Sequence, residues 1–258
     1  MKKEKGIRKN VLCTMRLLAE KDTPSALDLH RKITLEIGDE NIFCAEHTIE
    51  ESILGKGFVI GIFDSDYLVA IRAISYGGKY MEEAQKDLQL HPSERDHIAV
   101  MDFCITEKAF RGNYIQHFTF LKAEEILYPE RYHLHSTISP LNIFSLRNVL
   151  RSGFLIVDLK EKYGGYLRFI LHKDIRTLPH IYTHEHIEVP LEDYDSHLAL
   201  LSMGYYGYAI KGGYTGFSIV YGTKVAIRQT TDNEENEDIV QLMQKRKSSS
   251  HKILPQDY

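Results

Sequence analysis

The run Ile98-Ala-Val-Met-Asp-Phe-Cys-Ile105 constrains this chain more than any other segment. It reads as a strongly apolar strand, interrupted by one carboxylate, Asp102. The next sixty residues decide the architecture. Residues 106–112 form a loop, and Tyr114 to Leu127 carry a helical pattern with Ile115, Phe118 and Leu121 on one face. Tyr132 to Ile138 is a second strand. Ser139-Pro140 reads as a helix N-cap followed by proline at the first helical position. Ile143, Leu146 and Leu150 line one face of that helix, and Gly153 stops it. Phe154–Leu159 and Tyr166–Leu171 pair as a hairpin around Gly164-Gly165. Helices inserted between strands call for crossovers, while hairpins are antiparallel, so the sheet must be mixed.

The N-terminal part adds to the same sheet. Val11 to Leu18 reads as a strand. Asp22-Thr23-Pro24 opens a helix with a capping side chain close to a proline, and Ala26, Leu29, Ile33 and Ile37 come next at helical spacing. A short helix spans Thr48 to Leu54 and ends at Gly55. Phe58–Phe63 and Tyr67–Ile74 flank the turn Asp64-Ser65-Asp66, a hairpin pattern. Gly77-Gly78 breaks it, and Tyr80 to Leu90 is a helical excursion. The element order is β-α-α-β-β, then β-α-β-α-β-β. After Asp174 the texture changes to one helix, Leu191–Met203, and a Tyr-rich hairpin, Tyr205–Ile210 with Thr215–Tyr221, around Gly212-Gly213. Beyond Arg228 the chain is polar and charged, too poor in apolar residues to build a core. The expected organisation is a core over 1–174, an extension over 175–227 and a disordered tail over 228–258.

Composition narrows the partners. Against 36 Asp+Glu there are only 32 Lys+Arg, so no basic surplus exists to neutralise a phosphate backbone, and nucleic acid is excluded as the main partner. The three cysteines, Cys13, Cys44 and Cys104, show no ligand spacing and fit free thiols in a reducing cytosol. No 7–15-residue apolar run succeeds the basic Met1–Lys5, and no window reaches the ~20 apolar residues of a membrane span. The expected location is therefore cytoplasmic, with no membrane contact. His133 with His135, and His184 with His186, alternate along strands and share faces, but neither pair has a spaced third ligand, so no metal is expected.

Two segments carry a family resemblance. The first is the strand Ile98–Ile105 with the loop and turn Thr106-Glu-Lys-Ala-Phe-Arg-Gly-Asn-Tyr-Ile-Gln116. The second is Asn142-Ile-Phe-Ser145-Leu-Arg-Asn-Val149-Leu-Arg-Ser-Gly153-Phe154. They resemble the central strand, phosphate-binding turn and later Asn-to-Gly-Phe helix of the GCN5-related N-acetyltransferase (GNAT) family. The resemblance covers roughly residues 11–173. Three positions depart from it: Tyr114 and Gln116 in the turn stand where small residues are usual, and Val149 stands at a tyrosine position.

The resemblance implies an α/β fold with a mixed, mostly antiparallel sheet flanked by helices on both faces, to which the helix and hairpin after Asp174 add a C-terminal α+β extension that the family pattern does not need. It implies acetyl-CoA as co-substrate and no metal. Pantetheine would bond to the strand end at Phe103, Cys104 and Ile105. Pyrophosphate would sit on Arg111, Gly112, Asn113, Tyr114, Ile115 and Gln116, where unpaired N–H groups at the positive end of a helix suit an anion. Asn142 and Ser145 would line the cofactor arm. Asp102 is the foremost base candidate, with Glu107 and His97 on the flanks of the same strand; a carboxylate on the polar face of a strand is the structural alternative. Valine at 149 cannot serve as the acid. The implied function is transfer of an acyl group from acyl-CoA to an amine by direct attack in a ternary complex. The alternative is a non-catalytic acyl-CoA-binding or regulatory module with a degenerate core. The acceptor is a small-molecule or peptide amine, and a second copy of the chain is a candidate partner. The extension either shapes the acceptor pocket or an oligomer interface, or caps an exposed sheet edge.

Overall fold

A computed structural model describes residues 13–43, 48–177, 186–213 and 216–223. The tail expected to be disordered, and Cys44, His184 and Tyr214, lie outside the described residues. Among the described residues, ten strands form one sheet. They are β1 (Cys13–Leu17), β2 (Gly57–Asp64), β3 (Tyr67–Ser75), β4 (Ile98–Thr106), β5 (His133–Ile138), β6 (Leu155–Lys162), β7 (Tyr166–Asp174), β8 (Ile187–Pro190), β9 (Tyr206–Gly213) and β10 (Gly216–Gly222). Their spatial order is β1-β2-β3-β4-β5-β7-β6-β9-β10-β8. Every neighbouring pair is antiparallel except β4–β5, which is parallel. The sheet is mixed and mostly antiparallel, as the alternation of crossovers and hairpins demands.

Helices cover both faces. One face carries α1 (Thr23–Ile37), α2 (Ile49–Glu51, continued as a π turn through Lys56) and α3 (Lys79–Leu88). Ala26, Leu29, Ile33 and Ile49 pack there on Val59, Ile71, Ala73 and Ile105, and Met81 and Ala84 cover Ile98 and Val100. The other face carries α4 (Ile115–Leu127), α5 (Ile143–Arg151) and α6 (Tyr194–Ser202) over a core that includes Phe120, Leu146, Phe154, Ile156 and Phe169.

Several local expectations need correction. On α4 the buried residues are Thr119, Phe120, Ala123 and Leu127, while Phe118 and Leu121 are about half exposed. Steps of three residues drift ~60° per step around a helix, so 115, 118 and 121 do not hold one face, whereas steps of three and four do. Ile115 packs instead beside Ile62, Val69 and Ala70. The helix after β5 begins at Ile143, with Asn142 as its N-cap, and Ser139-Pro140 forms the preceding turn: the Asn142 N–H donates to the Ser139 carbonyl at 2.9 Å. Asp22 does not cap α1; its carboxylate accepts from Arg16 and from the Ala19 N–H. The helix of the extension starts later than its apolar pattern, at Tyr194, because Asp193 caps it through the Ser196 N–H at 3.1 Å.

The extension holds a strand, β8, that its four residues were too short to announce. The sheet continues across residue 174: β9 meets β6 at Ile156↔Gly207, and Val189, Leu191, Ile219 and Tyr221 belong to the same core as Phe154 and Phe169. Tyr221 is fully buried, with its hydroxyl 2.8 Å from His197 Nδ1, so it belongs to the core, whereas Tyr205, Tyr206 and Tyr208 of the same hairpin are partly exposed. No helix among the described residues is long and apolar enough to cross a membrane.

Candidate active site

The parallel pair β4–β5 is joined over only three residues, Ile98↔His133, Ala99↔Leu134 and Val100↔His135. Both strands run on, β4 to Thr106 and β5 to Ile138, without pairing. One side chain bridges the start of the gap, the Ser136 hydroxyl donating to the Met101 carbonyl at 3.1 Å. The strands therefore part from this level, and the backbone of β4 along Phe103–Thr106 is paired on one side only, with β3.

A β-bulge lies at the point of parting. Ala73 pairs with Phe103 and Ile74 with Met101, which leaves Asp102 as the extra residue of β4. Bulges re-aim side chains and free backbone groups, and they collect beside functional sites. The Asp102 carboxylate points to the α1–α3 face. There it accepts from Thr48 Oγ1, at the start of α2, and from Ser75 Oγ, at the end of β3, at 3.3 Å. Thr48 and Ser75 are buried. Desolvation raises the carboxyl to about 7, and the two hydroxyl donors oppose it without overcoming it. A carboxylate poised there is neutral below pH 7 and a competent proton acceptor above it.

Opposite Asp102 across the gap stands Thr137. The β4–β5 register continued by two residues puts them level, and paired or level residues share a face. His135, on that face of β5, bonds Asp87 of α3 at 3.1 Å. Burial works against charge on Asp87, but hydrogen bonds from His135 and Lys162 outweigh it and keep its pKa below the usual carboxylate value. His133 of the same strand meets Glu94 at 2.9 Å and His172 at 3.0 Å. The shared face of His133 and His135 is thus filled by hydrogen bonds to Glu94, His172 and Asp87, and burial lowers the pKa of His135. Among the described residues no group of three or more His, Cys, Asp and Glu is placed to hold a metal.

Turn 111–116 follows the end of β4 that β5 leaves open, and it leads into α4. Gly112 has φ +82° with open space where a Cβ would stand, and Tyr114, the N-cap of α4, has φ +57°. Tyr114 makes no side-chain cap, so the first-turn N–H groups have no partner within the helix or from the cap. Arg72 of β3 lies beneath them, 2% exposed. Its Nε donates to Thr119 Oγ1 at 2.9 Å and its Nη2 to the Gln116 carbonyl at 3.0 Å, with the guanidinium 3.6 Å over the Phe120 ring. Burial lowers its pKa, but guanidinium stays charged in proteins. A helix N-terminus with a fixed cation under it favours an anion.

The remaining expected residues fall into two groups. Phe103, Cys104 and Ile105 make up the stretch of β4 that pairs with β3 but not with β5, and Cys104 turns to the α4 face, its sulfur 3.8 Å from Thr119 Oγ1, as a small core residue would. Arg111, Asn113, Ile115 and Gln116 are in the turn and the first residues of α4; the Arg111 Nε is used on the Thr106 carbonyl, and the Gln116 side chain accepts from Asn148 at 2.7 Å. Asn142 spends its carboxamide oxygen on the Ser145 N–H at 3.1 Å, so both residues act first as a helix cap. Glu107 is tied to Lys32 at 2.5 Å and accepts from Tyr67 at 2.7 Å; these bonds outweigh its desolvation and hold its pKa down. His97 sits at the other end of β4, stacked on Tyr132 and bonded to the Glu130 carbonyl. Neither shares the surroundings of Asp102. Sequence reasoning alone does not reach Thr48, Ser75, Thr137 or Arg72. Only Arg72 carries a signal there, as a lone charge inside the apolar run Tyr67–Ile74.

This topology, a mostly antiparallel sheet opened between two parallel strands, is that of GNAT acetyltransferases. An acetyltransferase of the GNAT family from Streptococcus pneumoniae matches with TM-score 0.50 at 14% identity, over 64% of this chain and 100% of that one. A GNAT-family acetyltransferase from Listeria monocytogenes 4b F2365 matches with TM-score 0.48 at 17% identity, over 63% and 94%. The PaiA N-acetyltransferase from Thermoplasma acidophilum, in complex with coenzyme A, gives 0.44 at 13%, over 63% and 99%. The first of these, at 14% identity, shows a likeness of fold alone. No protein-family model and no curated protein sequence matches the chain.

Proposed function

We propose that this protein is an N-acyltransferase that moves an acetyl group, or another acyl group, from acyl-CoA to an amine in a ternary complex. The observation that carries the reading is the opening of β4 from β5 with Asp102 at its lip. The first turn of α4, with Gly112, Tyr114 and Arg72 around it, fits a pyrophosphate: it offers N–H donors, a positive dipole end and room for close approach. The one-sided backbone of Phe103, Cys104 and Ile105 fits an amide-bearing arm laid along it. Bound there, the co-substrate supplies the activated acyl group.

The chain's own groups then do two things. Asp102 removes a proton from the acceptor amine. A β4 backbone N–H freed by the bulge and the opening donates to the carbonyl oxygen as it gains charge, an effect worth ~10²–10³ in rate. Val149 does nothing chemical, being 2% exposed in the core of α5. That last fact favours the second reading, a binding module without turnover. Release of free thiol from acetyl-CoA in a mixture of amines separates the two.

Binding is tested first. Acetyl-CoA at 100 times its dissociation constant is expected to stabilise the protein by ~2.7 kcal/mol and raise its melting temperature accordingly. A melting temperature unmoved by millimolar acetyl-CoA would defeat both readings.

A further inference from the structure

Acyl transfer from a thioester needs a proton for the departing sulfur. Val149 has none to give, and several tyrosines are committed elsewhere. Tyr67 donates to Glu107, Tyr76 to the Gly57 carbonyl and Tyr166 to Glu40, while Tyr221 is buried on His197. Tyr114 is 69% exposed at the head of α4.

Tyr163 is placed differently. It begins the turn from β6 to β7 at φ +53°, and Gly164 and Gly165 come next at φ +86° and +118°. A tyrosine in the left-handed region is an uncommon conformation that glycine or asparagine adopts more readily, and such outliers gather at functional sites. Its ring lies 6.4 Å from Tyr80 of α3, with the Arg168 guanidinium 5.7 Å from its centre. Its hydroxyl is bonded to Thr137 Oγ1 at 2.7 Å. Continued two residues past Val100↔His135, the β4–β5 register sets Thr137 level with Asp102 across the gap and on the same face of the sheet. One lip of the opening therefore carries a carboxylate and the other carries two linked hydroxyls.

From this juxtaposition we propose that Tyr163 is the catalytic acid, giving its hydroxyl proton to the departing sulfur, with Thr137 as its positioning residue. The inference rests on the acyl-transfer reading above. In the step, the C–N bond forms and the C–S bond breaks, with its electron pair left on sulfur. The Tyr163 proton passes to that sulfur and yields a neutral thiol. Asp102 holds the proton taken from the amine. Returning it across the gap to the Tyr163 phenolate, through water and the Thr137 hydroxyl, restores both groups. No oxidant or further reactant is consumed.

The test compares two acyl donors in wild type, Tyr163→Phe and Thr137→Val. Acetyl-CoA is used with a panel of a polyamine, an aminoglycoside and a lysine peptide, and thiol release is monitored. The second donor is p-nitrophenyl acetate, whose leaving phenolate needs no proton. Tyr163→Phe is expected to lower kcat with acetyl-CoA by ~100-fold or more. Its acetyl-CoA affinity, melting temperature and turnover of p-nitrophenyl acetate should stay within about twofold or a few degrees of wild type. Thr137→Val should show a smaller loss, about tenfold, on acetyl-CoA alone. An equal loss on both donors would make Tyr163 a structural residue and overturn the proposal. Wild-type turnover of acetyl-CoA by Tyr163→Phe would overturn it while leaving the acyl-transfer reading intact. A wild-type protein that releases no thiol from acetyl-CoA would bring down both.

Discussion

Replacing Asp102 with asparagine is expected to lower kcat by ~10²–10⁴-fold while leaving acetyl-CoA affinity unchanged. Thr48 and Ser75 donate to different oxygens of Asp102, so asparagine keeps a carbonyl oxygen for one hydroxyl, sets its NH2 against the oxygen of the other, and has no proton-accepting charge. Wild-type kcat should rise with pH and level off above about 7, where the carboxyl ionises, and the variant should lack that rise. The same substitution should stabilise the protein in alkali. The folded-state pKa of Asp102 is raised from 3.8 to about 7, so the folded state holds the proton more tightly than the unfolded one. Its contribution is fully present below about pH 4 and is lost as pH rises through 7. A variant that cannot ionise escapes that loss, so its melting temperature should exceed wild type at about pH 8 and approach it at about pH 5. Turnover equal to wild type across about pH 6–9 would make Asp102 structural and send the search for a base elsewhere.

Cutting the chain after Asp174 is expected to abolish cooperative folding. The cut removes Val189, Leu191, Ile219, Val220 and Tyr221, all buried, and uncovers Phe154, Ile156 and Phe169. Each such apolar side chain contributes ~1.5–3 kcal/mol on burial, so together they rival the ~5–15 kcal/mol that holds a whole domain folded. The truncated protein should aggregate and show no sharp melting transition. A monomer that melts sharply and binds acetyl-CoA would show that residues 1–174 suffice, and that the added strands serve the acceptor or a partner instead.

Much of the fold was legible because its signals are local. The apolar run at 98–105, the Asp-Ser-Asp turn before Tyr67 and the Gly-Gly pairs each mark an element by themselves. Where two local rules competed, the sequence misled. Ser139-Pro140 has the look of a helix start, but Asn142 wins because its side chain reaches the Ser145 N–H. Phe118 and Leu121 look like core, but α4 is turned by Phe120, Ala123 and Leu127, whose spacing holds one face. The candidate site was legible only along β4 and the turn after it. Thr48 and Ser75 come to Asp102 from 54 and 27 residues away in sequence, and Thr137, level with it only by the continued register, from 35. Such neighbours arise from sheet register and a bulge, and neither leaves a mark in a single sequence.

The short pairing of β4 with β5 also has a consequence for hydrogen exchange. Along Ile98–Val100 the strand is paired with β5, and beyond Val100 it is paired on the β3 side only. Alternate amides of Asp102–Thr106 point into the cleft, and they should exchange with solvent deuterium far sooner than those of the buried segment upstream, though both belong to one strand. Any molecule that lays its own carbonyls along the cleft would slow those amides first. The strand thus carries a residue-by-residue reporter of occupancy, independent of any chemical turnover.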